Sequence, residues 1–189
     1  MRTVTLATAA VALGLSFSTA HALEEAGQAY ITPLATYIKP DGQVNGSELE
    51  DGVKGGQLAV GFALEDHWNV ELALQRLNLD AKDNDSSIDQ TGIIFNVLNV
   101  YNRGGLFAPY LLGGIGYVND DAGGKVGDQD NLQAQAGVGL FTRLIGDRVS
   151  LRTEALYRWE DAADSINDVL INVGFQVALG TKAAPVAKA

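Results

Sequence analysis

Between Asp168 and Gly180 the chain alternates with a period of two. Val169, Ile171, Val173, Phe175, Val177 and Leu179 share one face, and Leu170, Asn172, Gly174, Gln176 and Ala178 share the other. Such alternation marks a strand between two different environments. The bulky residues form one apolar stripe, opposite a face that is mostly polar or small. At about 3.3 Å per residue the stripe is roughly 33 Å long; tilted by about 40° it covers roughly 25 Å of height, the apolar band of a transmembrane β-barrel. The design recurs upstream. In 55–64, Leu58, Val60, Phe62 and Leu64 oppose Gln57, Ala59, Gly61 and Ala63. From Trp68, Val70, Leu72 and Leu74 oppose Asn69, Glu71, Ala73 and Gln75, until Leu77 and Leu79 fall on the opposite parity. That switch predicts either a β-bulge or a strand that has left the apolar layer. In 132–144 the thin face is Gln133, Gln135, Gly137 and Gly139. Further strands are expected over 27–38, 91–101, 107–118 and 149–159, making eight.

The connections alternate between long and short. Tight turns follow the second, fourth and sixth strands, the middle one being Asn102-Arg103-Gly104-Gly105. Long polar segments follow the first, third, fifth and seventh. Each carries four acidic residues: Asp41, Glu48, Glu50 and Asp51; Asp80, Asp83, Asp85 and Asp89; Asp120, Asp121, Asp128 and Asp130; Glu160, Asp161, Asp164 and Asp168. Short turns on one side and longer loops on the other are the asymmetry of an outer-membrane barrel, and an even strand count puts both ends of the chain on the periplasmic side. Aromatics at expected strand ends suggest two interfacial girdles, with Tyr30, Trp68, Tyr101 and Phe107 below and Tyr37, Tyr117 and Trp159 above. The expected fold is all-β: an eight-stranded antiparallel up-and-down transmembrane β-barrel over residues 23–180.

Composition narrows this further. Residues 1–22 begin Met1-Arg2, run apolar and end Ala20-His21-Ala22, which reads as a secretory signal peptide. No later run approaches the ~20 apolar residues of a spanning helix. With no cysteine, disulfides, thiol nucleophiles and zinc clusters are excluded, and the net charge of −10 argues against nucleic acid as a partner. A soluble lipocalin-like carrier is the competing eight-stranded reading. It would turn the bulky face inward and leave a glycine- and alanine-rich face with few charges toward water, a poor solvent surface.

The runs Phe107-Ala-Pro-Tyr-Leu-Leu-Gly-Gly-Ile-Gly-Tyr117 and Leu151-Arg-Thr-Glu-Ala-Leu-Tyr-Arg158 resemble the N-terminal barrel of OmpA-type outer-membrane proteins, and the resemblance extends over essentially residues 23–180. It implies an outer-membrane location, contact with membrane lipid and lipopolysaccharide, and handling by periplasmic chaperones and the barrel-assembly machinery. Asn172, Gly174, Val177 and Leu179 resemble the terminal assembly signal, without its usual final aromatic. The tail, 181–189, looks like the start of the Ala/Pro-rich linker that precedes a peptidoglycan-binding domain in many such proteins. No such domain is in this sequence, so peptidoglycan binding is not carried over.

The resemblance also implies a charged network inside the barrel. Here the inward faces offer Glu71 on the third strand and Arg152, Glu154 and Arg158 on the seventh. In so narrow a lumen these charges must be paired or hydrated. They would serve as a rigid polar plug or as a gate over a narrow ion path. Other chemistry is weaker. His67 is the sole histidine after residue 22, sits beside Glu65 and Asp66, and has no neighbouring serine, so no catalytic residues are assigned and the chain is not expected to be an enzyme. Asp83-Asn84-Asp85 opens like a calcium loop, but Ile88 stands where glycine is needed and the bidentate glutamate is missing, so no metal or cofactor is assigned. Gly114-Ile-Gly116 and Gly137-Val-Gly139 lie within strands and precede no helix, unlike nucleotide loops. The expected role is structural, maintaining the envelope, with a narrow pore as its extension and recognition through the four acidic loops as the alternative. Expressed protein should fractionate with the outer membrane and shift its gel mobility on boiling; a soluble, non-shifting product would contradict the barrel.

Overall fold

A computed structural model describes residues 26–41, 43–44, 47–48, 51–64, 67–80, 87–121, 129–145, 148–161 and 166–180. The leader at 1–22, the tail at 181–189, Glu65, Asp66 and the acidic run at 81–86 lie outside these residues. Eight long strands form the wall: β1 (Ala29–Asp41), β2 (Gly52–Ala63), β3 (Trp68–Asp80), β4 (Ser87–Val100), β5 (Phe107–Asp121), β6 (Gln129–Ile145), β7 (Val149–Glu160) and β8 (Ile166–Leu179). All neighbours pair antiparallel, and β1 pairs with β8 to close the ring. Above the wall, Gln43–Val44 and Ser47–Glu48 pair as a small ribbon.

The register sets the lean of the strands. From Ala29 the partners run round the ring through Phe62, Val70, Val97, Gly113, Ala136, Tyr157 and Val169, and return to β1 at Lys39 rather than Ala29. An offset of about ten residues over eight strands tilts them by about 40° and leaves roughly 16 Å between opposite backbones. That lumen is wide enough for side chains and little else.

The faces sort as the alternation expects. Leu58, Val60, Phe62, Leu72, Leu74, Phe95, Ile115, Val138, Val173 and Phe175 all point outward and are exposed. Gln57, Glu71, Gln75, Asn96, Gln135, Asn172 and Gln176 point inward and are buried. The parity switch on β3 involves no bulge, since its pairing to β4 is continuous from Trp68 to Asp80. Leu77 and Leu79 turn into the lumen, while Arg76 and Asn78 face out. The strand has climbed out of the apolar layer. Two register irregularities occur elsewhere, at Thr36/Tyr37 between β1 and β2 and at Arg143/Ile145 between β6 and β7.

Two expectations need correction. Tyr30 is not part of the lower girdle: it shares the inward parity of Thr32 and Leu34 and is fully buried in the lumen. Trp68, Tyr101 and Phe107 do lie exposed at the lower end, with Tyr117 and Trp159 at the upper. The strands also run further outward than the apolar stripe, so Glu160 and Asp168, expected in an outer loop, are strand residues that point inward. The lumen is not wholly polar either, since an apolar cluster including Ile38, Leu77, Leu98, Leu156 and Leu170 fills part of it.

The lipid-facing assignment has a depth-dependent consequence. Val173 lies midway up the outward face, and Val169 lies close to the outer girdle. Val173→Arg should destabilise the barrel by about 2–4 kcal/mol and Val169→Arg by about 0–1 kcal/mol, measured by denaturant unfolding in lipid vesicles. Equal costs would mean that this face does not meet hydrocarbon.

Candidate functional site

Two arginines on β7, Arg152 and Arg158, organise the lumen. They are six positions apart and so face the same way, about 20 Å from each other along the strand. Each is fully buried and each gathers carboxylates around it.

The inner group sits in the periplasmic half. Arg152 grips Glu71 with both terminal nitrogens: Nη1 donates to Oε1, and Nη2 to Oε2 at 3.1 Å. Glu71 is on β3, four strands from β7 in either direction round the ring, so this ion pair spans the full width of the barrel. Nε of Arg152 donates to Glu154 and, at 3.1 Å, to the Tyr110 hydroxyl oxygen. The Tyr30 hydroxyl donates to Glu71 Oε1 at 2.9 Å. Tyr110 stacks on Phe141 at 4.5 Å, and the guanidinium lies 5.4 Å and 5.5 Å from the two ring centroids. A planar cation thus meets a bidentate carboxylate, a second carboxylate and aromatic faces, the surroundings that favour arginine over lysine.

Glycines make this possible. A Cβ on Gly61 would run into the ring of Tyr30, and one on Gly139 into the ring of Tyr110. Each tyrosine therefore lies flat over a bare stretch of neighbouring strand and brings its hydroxyl to the ion pair.

The outer group is built differently. Arg158 donates through Nε to Asp168 Oδ2 at 3.0 Å, with Nη2 on the same oxygen, and through Nη1 to Gln90 Oε1. Gln90 donates to Glu160 at 3.3 Å, and Asn131 donates to the other oxygen of Glu160 at 3.1 Å. Arg158 and Glu160 are 3.9 Å apart. Here the charge is held mainly by the adjacent strand β8 and reaches β4 only through an amide.

Of the four expected lumen charges, Glu71, Arg152 and Glu154 therefore come together, whereas Arg158 stands apart with Asp168 and Glu160. Carrying the parity of β7 and β8 past the apolar stripe would have placed Glu160 and Asp168 inside; nothing local to the sequence singles out Gln90, Asn131, Tyr30 or Tyr110. Between the two groups lies a band of buried polar side chains. Thr36 Oγ1, Gln57 Nε2, Gln75 Nε2 and Oε1, and Gln135 Oε1 have no hydrogen-bond partner there.

The residues of the expected assembly signal lie along β8. Asn172 and Gly174 face inward, Leu179 faces out and Val177 is half-buried. A Cβ on Gly174 would collide with the Pro33 carbonyl, so β1 and β8 approach closely at the seam. His67 is exposed, and its Nδ1 donates to the Val100 carbonyl at 3.1 Å. Among the described residues no group of His, Cys, Asp or Glu is arranged to hold a metal ion.

A family model described as "Outer membrane protein beta-barrel domain" matches residues 7–181. Among solved structures, OprG of Pseudomonas aeruginosa is similar at 16% identity and a TM-score of 0.59, covering 86% of this chain and 99% of that one. Neisserial surface protein A (NspA) is similar at 14% identity and a TM-score of 0.59, covering 79% and 96%. The N-terminal barrel of OprF from Pseudomonas aeruginosa follows at 16% identity and a TM-score of 0.50, covering 79% and 98%. At these identities the likeness is one of fold. No curated protein matches the chain.

The inner group yields a test. Glu71→Ala leaves Arg152 buried with Glu154 as its remaining carboxylate, which should destabilise the barrel by about 3 kcal/mol, the low end for breaking a buried pair. Arg152→Met combined with Glu71→Leu should recover most of that loss. Both are read by denaturant unfolding followed through the fluorescence of Trp68 and Trp159. A double variant as unstable as the single one would contradict the pairing.

Proposed function

Since the chain belongs to the outer membrane protein β-barrel family, we propose that it is a structural element of the outer membrane whose lumen is closed by its own side chains. The observation that carries this reading is the Arg152–Glu71 ion pair, fully buried and reaching from β7 to the opposite strand β3. A charge-assisted cross-brace of this kind holds the two sides of the wall at a set distance and blocks the lumen at that level. The outer group around Arg158 closes it a second time. Export through residues 1–22, and folding by an assembly machinery that reads Asn172, Gly174, Val177 and Leu179, belong to the same proposal.

A second reading is supported by the band between the two groups. Buried donors and acceptors without partners are costly in a dry site, so that band suits water or a small hydrated ion. The lumen would then be a narrow path stopped at two points, each by one arginine. Recognition through the acidic loops has no comparable support, because most of the loop residues lie outside those described.

Single-channel recording in planar bilayers separates these. The wild type should pass no steady current. Glu71→Ala should give brief openings if the inner brace is a gate, and none if it is only a plug. Steady wild-type current would overturn the closed-barrel reading.

A further inference from the structure

Between the two arginine groups the register brings inward polar side chains from both sides of the lumen to one height. Gln57 on β2 pairs with Gln75 on β3 and with Leu34 on β1, where Thr36 is the next inward residue above. From Gln75 the pairs run through Gly92 and Val118 to Asn131 on β6. The lean of the strands lifts such a line by about four residues over three strands, so Gln135, which lies that far below Asn131 on β6, stands level with Gln75. Thr36, Gln75 and Gln135 are 0%, 1% and 3% exposed. At the same level β5 presents Gly114 and Gly116, which have no side chains, and β7 and β8 present Leu156 and Leu170, which offer no hydrogen bond.

Several of these polar atoms have no protein partner. Gln135 Nε2 donates to Asn96 Oδ1 at 2.8 Å, which fixes the amide and leaves Oε1 as a free acceptor. Thr36 Oγ1 and both amide atoms of Gln75 are unpartnered too. Extended glutamines reaching in from β3 and β6, nearly opposite in the ring, leave about 5 Å between their oxygens, the span of two metal–oxygen bonds. The surroundings also have a sign. Below, Glu71 and Glu154 face the single charge of Arg152. Above, Glu160 and Asp168 face Arg158, and Asp168 Oδ1 is unpartnered. Surplus carboxylate charge at both ends favours a cation between them and repels an anion. Neutral oxygens at the level itself suit a singly charged ion, as carbonyl oxygens do where they replace its hydration shell.

We propose that this level of the lumen binds one alkali metal cation, held by Gln75 Oε1, Gln135 Oε1 and Thr36 Oγ1 and balanced by the surplus carboxylate charge of the two arginine groups. The proposal rests on the reading of this band as a wet stretch of lumen and goes beyond it. The ion is resident, closed in by one arginine group on each side, and it links β1, β3 and β6, strands that do not pair with one another. Because the ligands come together only in the closed barrel, binding favours the folded state by mass action. Above half-saturation, each tenfold rise in free cation raises the folding equilibrium constant about tenfold.

The test measures denaturant unfolding of the refolded protein while KCl or NaCl replaces N-methylglucamine chloride at constant ionic strength. Wild type should show the tenfold-per-tenfold dependence on alkali cation. Gln75→Leu combined with Gln135→Leu should remove it. Thr36→Val, a change of nearly equal volume, should raise the half-saturating cation concentration about tenfold, which keeps the test informative if the double variant does not refold. Crystals grown with thallium(I) acetate should show one anomalous peak between Arg152 and Arg158 in wild type and none in the double variant. A salt response that is flat in wild type, or a peak that survives in the double variant, would overturn the proposal. Water alone at that level would also overturn it while leaving the wet-band reading intact, whereas a dry, ion-free lumen would overturn both. Heat-modifiable gel mobility, recorded on every sample, reports folding of the barrel separately.

Discussion

Hydrocarbon offers no hydrogen bonds, so a strand that enters it must have every backbone amide and carbonyl met by another strand. The rest of this structure follows from that demand. An open sheet would leave two edges in lipid, and the chain removes them by pairing β1 with β8 along almost their whole length, from Ala29↔Leu179 to Asp41↔Asn167. Closing eight strands with the observed offset fixes the tilt and hence the lumen width. That width then dictates what the interior can be. An arginine and a glutamate on opposite strands meet end to end across it. With longer strand offsets or two more strands Arg152 would not reach Glu71, and the interior would need water to solvate its charges.

The two arginine groups solve one electrostatic problem in two ways. Burial of a guanidinium is expensive, and the attraction of a single carboxylate does not always offset it. At Arg152 the compensation includes a bidentate partner on the opposite strand β3 and a hydroxyl on β5, beside a second carboxylate on β7 itself and an aromatic face on the adjacent β6. At Arg158 it is largely local, with Asp168 on the adjacent strand and Glu160 two residues on. The inner group therefore couples opposite walls by an ion pair, whereas the outer group pairs charge only between neighbours and reaches β4 through the Gln90 amide. A distortion of the barrel's cross-section is felt first at Arg152. Glycine sets the limits of that arrangement. Gly61 and Gly139 are thin because Tyr30 and Tyr110 occupy the space, which gives inward glycines in the strands a packing role as well as a conformational one.

Period-two alternation made the strand number, the order of long and short connections, and the lipid-facing side of most strands legible, because lipid and lumen impose opposite demands on successive residues. Val173 and Asn172 are adjacent in sequence and separate completely, one 46% exposed and the other fully buried. The alternation stops being informative where those demands relax. Above the apolar band the outward face turns polar and the inward face can be apolar, so Leu77 and Leu79 on β3 look like a slip when the backbone has none. The same relaxation hides Glu160 and Asp168, whose acidity suggests a loop until their parity is followed. Tyr30 misleads for a related reason: a tyrosine near a strand end suits both a girdle and a lumen hydrogen bond, and only its phase with Thr32 and Leu34 distinguishes them. Partner choice inside the lumen is less accessible still. Arg152 could in principle face any inward carboxylate at its height, and its pairing with Glu71 depends on the register of strands far apart in sequence.

The placement of charge follows from the same lipid boundary. Inside, each arginine is outnumbered by carboxylates. On the outward wall within the apolar band, the described residues carry no charge at all. At the rims a cation can also keep its head in water, because there the aqueous side remains within reach of a long side chain. A random scatter of rim cations would be expected if solubility alone governed their position. At the outer rim the described cations, Lys39, Lys54 and Arg76, instead stand on the adjacent strands β1, β2 and β3. The tilt brings them level, since positions two residues apart on successive strands share one height only in a sheet that leans this much. The constraint that seals the backbone thereby also aligns the rim, and the barrel is unequal around its axis although its wall is continuous.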